Sequence, residues 1–311
     1  MSEQPTSRAR AHCRSSRTAA AALAVAAVAV AGLAGCGSDD TTVADPSTSS
    51  APTSAAATTS AEATATSGGS TARVPVYFVG KTPAGPALFQ EYAEVPAADP
   101  LGGAVAALEA GSPTDPDYTS SYSSESFGKV TYDAAKGFTV ELTDPKLADR
   151  GNRSKKAATV AAQQLVYTLE AVQGVKKKPV TVVAGGRPTT FYGFDTRTGL
   201  KPAGQLGVLA LVNVLSPQEG GSLSGKAAVS GLASSPEGTV PWTLKDSTGK
   251  VVRKGTATAE GWMDGLYPWK TTVDVSGLPS GTYTFTASTD DPSGGTEGYG
   301  PTRDTKTVTV G

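Results

Sequence analysis

From residue 37 to residue 73 the chain is Thr, Ser, Ala and Pro, with hardly a large apolar side chain. Such a segment cannot bury enough surface to offset its ordering entropy, so it is expected to stay a disordered tether. Whatever folds must fold after it. Large apolar residues return at VPVYFVG (74–80), and the folded body is expected to begin there. The tether would have a mean span of roughly 35 Å and an extended limit of about 120 Å.

Ahead of the tether lie Arg8, Arg10, Arg14 and Arg17 with one acid, Glu3, and then an uncharged stretch over residues 18–35 rich in Ala, Val, Leu and Gly. A basic start followed by a short apolar run is the pattern of an export signal. It is alanine-rich and short for a permanent span, which needs roughly 20 strongly apolar residues. The run closes with Leu33-Ala34-Gly35-Cys36, which resembles the lipobox of bacterial lipoproteins. That resemblance implies a signal peptide over 1–35, cleavage before Cys36, a diacylglyceryl group on its sulfur, and a lipidated linker over 36–73. A secreted protein with a chance cysteine is the alternative. Two or three acyl chains on one residue would hold the membrane far better than one.

Cleavage there would remove four basic residues and one acidic one, leaving 23 against 27 and a net charge of −4. That balance argues against a nucleic-acid partner. The only histidine, His12, and Cys13 would leave with the signal. Without imidazole or a free thiol, Ser-His-Asp and Cys-His catalysis and the usual zinc sites are excluded, and neither metal nor cofactor is expected. Carboxylate-based hydrolysis and Ser-Lys chemistry stay open.

The region 74–203 alternates strand and helix signals. VPVYFVG and ALFQEYAEVP read as two strands joined across KTPAGP. DPLGGAVAALEAG offers Asp99 as N-cap, Pro100 at the first helical position and Gly111 as stop, with Leu101, Val105 and Leu108 on one face. GKVTYDAAKGFTVELT alternates as a hairpin. SKKAATVAAQQLVYTLEAVQG carries the clearest helical period, through Ala158, Ala161, Ala162, Leu165, Leu169 and Val172. Ser154 caps its start and Gly174 its end, with Lys176, Lys177 and Lys178 suited to the negative end of the dipole. PVTVVAGG is a last strand. The expectation is a compact α+β domain.

From 204 to 311 the texture changes to short strands at roughly ten-residue spacing, among them GVLALVNVLSP, VPWTLKDSTGKVVRKGTATA and DTKTVTV. About 100 residues of this kind read as an all-β immunoglobulin-like sandwich. DSTGK marks a hairpin turn.

VPVYFVG, DPDYTSSY and AAQQLVYTLEA resemble the GerMN domain of sporulation and spore-germination proteins. VLSPQEGGSLSG, EGTVPWTLKDSTGKVV, LPSGTYTFTASTDD and DTKTVTV resemble the immunoglobulin-like domain appended to it in bacterial envelope lipoproteins. The resemblance covers nearly all of residues 74–311. It implies an exported lipoprotein on the outer face of the cell membrane of a Gram-positive organism, and a non-enzymatic assembly module.

Asp115 and Asp117 sit between Pro113 and Pro116, as a polar turn or a cation site; the prolines favour the turn. Asp290, Asp291 and Glu297 offer acids without the spacing of a calcium loop. Gln163 and Gln164 read as a helix flank or a polar partner groove. EGWMDGLYPW places Trp262, Tyr267 and Trp269 in a loop, as candidate contacts to a partner or glycan, or as the closure of one end of the sandwich. The leading expectation is a non-catalytic, membrane-anchored module that binds envelope proteins, with peptidoglycan as a further partner. A cell-wall glycan-binding protein and a carboxylate-based glycan hydrolase are the alternatives.

Overall fold

The computed structural model describes residues 69–294, 296 and 298–311, so Cys36, the signal over 1–35 and most of the linker lie outside the described residues. Strand β1 (Thr71–Thr82) starts three residues before the return of large apolar residues. It pairs antiparallel with β2 (Gly85–Pro96) from Thr71↔Pro96 to Thr82↔Gly85, turning at Gly85 with φ +105°. Both faces of β1 are covered: Val76 and Phe78 enter the main core, and Tyr77 a second apolar cluster behind the sheet.

Helix α1 (Pro100–Ala110) forms where its signals stand. The Asp99 side chain accepts from Gly102 N, Pro100 opens the first turn, and Gly111 closes it at φ 61°. The short strand β3 (Tyr118–Thr119) returns to β1, giving the order β2-β1-β3. Strands β4 (Phe127–Asp133) and β5 (Gly137–Leu142) make the expected hairpin. Helix α2 (Lys155–Gln173) then crosses to β6 (Val180–Ala184), which pairs parallel with β5. Three two-residue strands, β7 (Arg187–Pro188), β8 (Thr190–Phe191) and β9 (Phe194–Asp195), finish the domain.

Ser154 caps α2 through a bond from Ala157 N, and Gly174 stops it in the left-handed region. The helix is buried almost all round: Ala158, Ala161, Leu165 and Leu169 face the main core while Val160 and Tyr167 join the second cluster. That changes the reading of Gln163 and Gln164, which are buried rather than flanking. Gln163 donates to Lys201 O and accepts from Ala203 N; Gln164 accepts from Ser121 N. Each pins a connecting loop to the helix by pairing its buried amide with main-chain groups of that loop.

The stretch GVLALVNVLSP is not one strand. Its first two residues, Gly207 and Val208, end α3 (Gln205–Val208), and only the later part becomes β10 (Val212–Ser216). Val208 and Leu209 pack with Tyr77, Leu88, Val160 and Tyr167, and Ala210 N donates to Leu88 O at 2.9 Å. Residues 204–210 therefore dock on the α+β domain instead of starting the sandwich. An apolar run signals burial but not which partner buries it.

The sandwich follows with β11 (Ser222–Leu223), β12 (Lys226–Ala233), β13 (Thr239–Asp246), β14 (Val251–Thr258), β15 (Tyr267–Asp274), β16 (Gly281–Ser288) and β17 (Arg303–Val310). One sheet runs β10-β12-β15 and the other β11-β17-β16-β13-β14. Val214, Val229, Leu244, Val273, Phe285 and Val308 fill the space between them. The DSTGK turn is held by Asp246 Oδ1, which accepts from Thr248 N and Lys250 N. Two tryptophans lie over glycines of the neighbouring strand: Trp269 pairs with Gly231 and Trp242 with Gly255. Each indole covers the gap a glycine leaves in a sheet.

Candidate functional site

Of the two acids singled out at SPTDPDYTSS, Asp115 is buried and Asp117 is exposed. Asp117 N donates to Asp115 Oδ1 at 2.9 Å, which is the turn the prolines suggest. The other carboxylate oxygen does something no local pattern shows: Asp115 Oδ2 accepts from Lys306 Nζ at 2.5 Å, across the boundary between the two domains. The Lys306 and Asp115 side chains are 2% and 1% exposed.

Strand β17 brings this about through its period of two. In DTKTVTV, Asp304, Lys306, Val308 and Val310 are all buried on one face. The two valines fill the sandwich core, and the two charged residues meet the α+β domain. Lys306 Nζ reaches Asp115 Oδ2, Tyr118 Oη at 2.7 Å and Asp304 Oδ1 at 3.3 Å, so its three N–H donors all have acceptors. Tyr118 donates its own proton to Asp304 Oδ1 at 2.6 Å, and its ring lies 4.5 Å from the ammonium. Asp304 Oδ2 accepts from Asn213 Nδ2 and Val214 N. Asn213 in turn accepts from Gln90 N, and Asp117 Oδ2 from Thr305 Oγ1. Beneath the turn, buried Glu91 accepts from Thr114 N and Asp115 N.

Burial sets the electrostatics. It pushes the carboxyls of Glu91 and Asp115 above the usual carboxylate range, against the pull of backbone bonds and Lys306. Burial also pulls Lys306 down, but Asp304 and then Asp115 outweigh it and hold the ammonium above its ordinary 10.5. The Tyr118 phenol is driven far up, first by burial and then by Asp304 and Asp115. Lys306 therefore stays charged and Tyr118 protonated throughout the physiological range. The arrangement joins two domains, and its carboxylates already have partners.

The aromatic loop divides. Trp269 is 2% exposed, lies in β15 against Gly231, and belongs to the sandwich core, so it is not available to a partner or glycan. Burial inside the sheet overrides the loop its sequence suggested. Tyr267 opens β15, half-buried, and its hydroxyl donates to Asp264 Oδ1 at 2.6 Å. Trp262 is 42% and Met263 69% exposed, with Met263 at φ 84°. This loop is tied back to α3, where Gln205 Oε1 accepts from Leu266 N. Asp291 Oδ1 caps Ser293, and Glu297 lies outside the described residues. Among the described residues no group of three or more His, Cys, Asp or Glu side chains could hold a metal ion, and no helix is long and apolar enough to cross a membrane.

A cavity of about 370 Å³ lies beside the end of α2. Tyr77, Tyr167, Ala171 and Val175 form one side, Pro202 to Gln205 the other, with Lys176 and Lys177 on its lining.

These features define a two-domain protein: an α+β unit locked to a β-sandwich through a buried polar joint. Residues 75–190 match the family model described as sporulation and spore germination, and residues 211–296 the one described as the immunoglobulin-like domain of bacterial spore germination. The chain thus carries a sporulation and spore germination domain followed by a germination-type immunoglobulin-like domain. No curated protein matches it.

Proposed function

We propose that the chain is a non-catalytic lipoprotein on the extracytoplasmic face of the cell membrane, anchored through Cys36, whose two domains act together as an interaction or assembly unit. Its two family matches fit work in sporulation, germination or cell-wall processes. The observation that carries the reading is the engagement of Asp115, one of the two candidate acids between the prolines, in an ion pair with Lys306 between the domains. A carboxylate that accepts a lysine and a backbone N–H is poorly placed to protonate a leaving group or attack a sugar. Two domains joined this way present one fixed surface, which suits an assembly module.

The exposure of Trp262 keeps glycan binding as a second reading, since a single exposed indole can stack on a sugar ring. Placing a photo-reactive amino acid at position 262 in living cells separates the two. A discrete protein adduct supports the interaction module. Adducts to peptidoglycan alone favour the glycan reading, and release of soluble muropeptides by the purified protein overturns both.

A further inference from the structure

We propose that the cavity beside the end of α2 is a binding site for a partner polypeptide, taking an aromatic side chain next to a carboxylate. This rests on the interaction-module reading and names what that module would grip.

The walls suit an aromatic ring. Tyr77 and Tyr167 stand 5.6 Å apart, and both spend their hydroxyls elsewhere, on Gln90 Oε1 at 3.1 Å and Ala203 O at 2.5 Å. With Ala171 and Val175 they leave a mainly apolar lining, and about 370 Å³ holds a side chain of that size. The lining also carries Lys176 and Lys177, both exposed. Its one acid is Glu170, and that group is engaged: its Oε1 accepts from Lys178 N at 2.5 Å, and it also bonds the Lys177 backbone. The helix carbonyls Ala171 O and Glu170 O are capped by Gly174 N and Val175 N. Two exposed ammoniums without a partner among the described residues, against one engaged carboxylate, favour an anion at the mouth.

Lys177 sits at φ 60°, held in the turn by the bond from its backbone to Glu170. The surroundings favour a polypeptide over a small molecule. Beside the cavity, Gln205 leads into exposed Leu206 and holds the loop of Trp262 and Met263. These are three of the five large exposed hydrophobics among the described residues. A chain leaving the cavity has an apolar surface to run along.

The test uses the full-length ¹⁵N-labelled chain and three probes: acetyl-Ala-Tyr-Glu-amide, acetyl-Ala-Tyr-Lys-amide and N-acetyltyrosine. The glutamate peptide should shift the amides of Ala171, Val175, Lys177 and Ala203 saturably. The lysine peptide should bind about fivefold more weakly, and N-acetyltyrosine more weakly than the glutamate peptide. Changing Lys176→Glu with Lys177→Glu, both exposed, should reverse the preference between the two peptides, and that reversal itself reports a folded site. Absence of saturable shifts, equal binding of the two peptides, or N-acetyltyrosine binding as tightly as the peptide would overturn the proposal. So would a concentration-dependent dimer abolished by the same lysine changes, which would assign the cavity to a second copy. If the peptides fail but position 262 still crosslinks to a protein, the module reading survives and only this site falls.

Discussion

Lys306 and Asp115, 191 residues apart, meet at 2.5 Å with both side chains almost fully withdrawn from solvent. One belongs to the last strand of the sandwich and the other to a proline-flanked turn of the α+β domain. Lys306→Met leaves Asp115 and Asp304 buried without their cation and should lower stability by roughly 3–5 kcal/mol in urea unfolding. Asp115→Asn leaves Lys306 paired with Asp304 and should cost less. Replacing both should cost less than the sum of the two. Strict additivity in the double-mutant cycle would mean that the pair does not act as one.

The joint should also respond to alkali. Lys306 has a folded value raised above its ordinary 10.5, so the stability it contributes is fully present below that value and is lost as pH rises through the folded one. Stability of the natural chain should therefore fall above about pH 10.5 more steeply than that of Lys306→Met. Parallel curves across that window would contradict the assignment. Asp115 and Glu91 are shifted upward, the opposite of the usual paired acid. They favour the folded state at low pH, an advantage lost as pH rises through their folded values, so mild acid should not open the joint through them.

Two glycines should behave in opposite ways. A Cβ at Gly231 would stand 1.9 Å from Asn213 O and 2.9 Å from the Trp269 ring, so Gly231→Ala should cost several kcal/mol and unfold the sandwich at markedly lower temperature. A Cβ at Gly207, in α3, meets nothing within 4 Å. Gly207→Ala should stabilise by about 0.5–1 kcal/mol through helix propensity. Calorimetry of both variants checks the contrast.

The two tryptophans of the loop region should separate cleanly. Trp269→Ala removes a buried ring and should cost about 3–5 kcal/mol. Trp262→Ala should leave the melting temperature nearly unchanged and weaken binding to an envelope partner, by about 2 kcal/mol if the ring anchors that contact. A large loss of stability from Trp262→Ala would mean that its ring is structural.

The ends of the helices were legible because they are local. Asp99, Ser154, Gly111 and Gly174 each act within four residues of themselves, and Asp246 holds its turn the same way. The joint was not, because its two halves are far apart in sequence and burial of a charge depends on its partner. A signal was present nonetheless: Asp304 and Lys306 hold the same face of β17 as Val308 and Val310, a buried-strand pattern with charges in it. Trp269 and residues 204–210 were misplaced for the related reason that an apolar side chain does not specify which surface will cover it. The exposure of Trp262 matched the loop reading, since Gly and Asp around it give nothing to bury it.

The most direct test of the account is whether the domains move as one. Lys129 in β4 and Lys250 after β13 are both exposed and lie in different domains. Spin labels on cysteines placed at these two positions, in a chain otherwise lacking reactive thiols, report the distance between them by pulsed electron paramagnetic resonance. With the joint intact a single narrow distribution is expected, broadening when Lys306→Met and Asp115→Asn are combined. A broad distribution in the otherwise natural chain, unchanged by those substitutions, would contradict a locked two-domain unit.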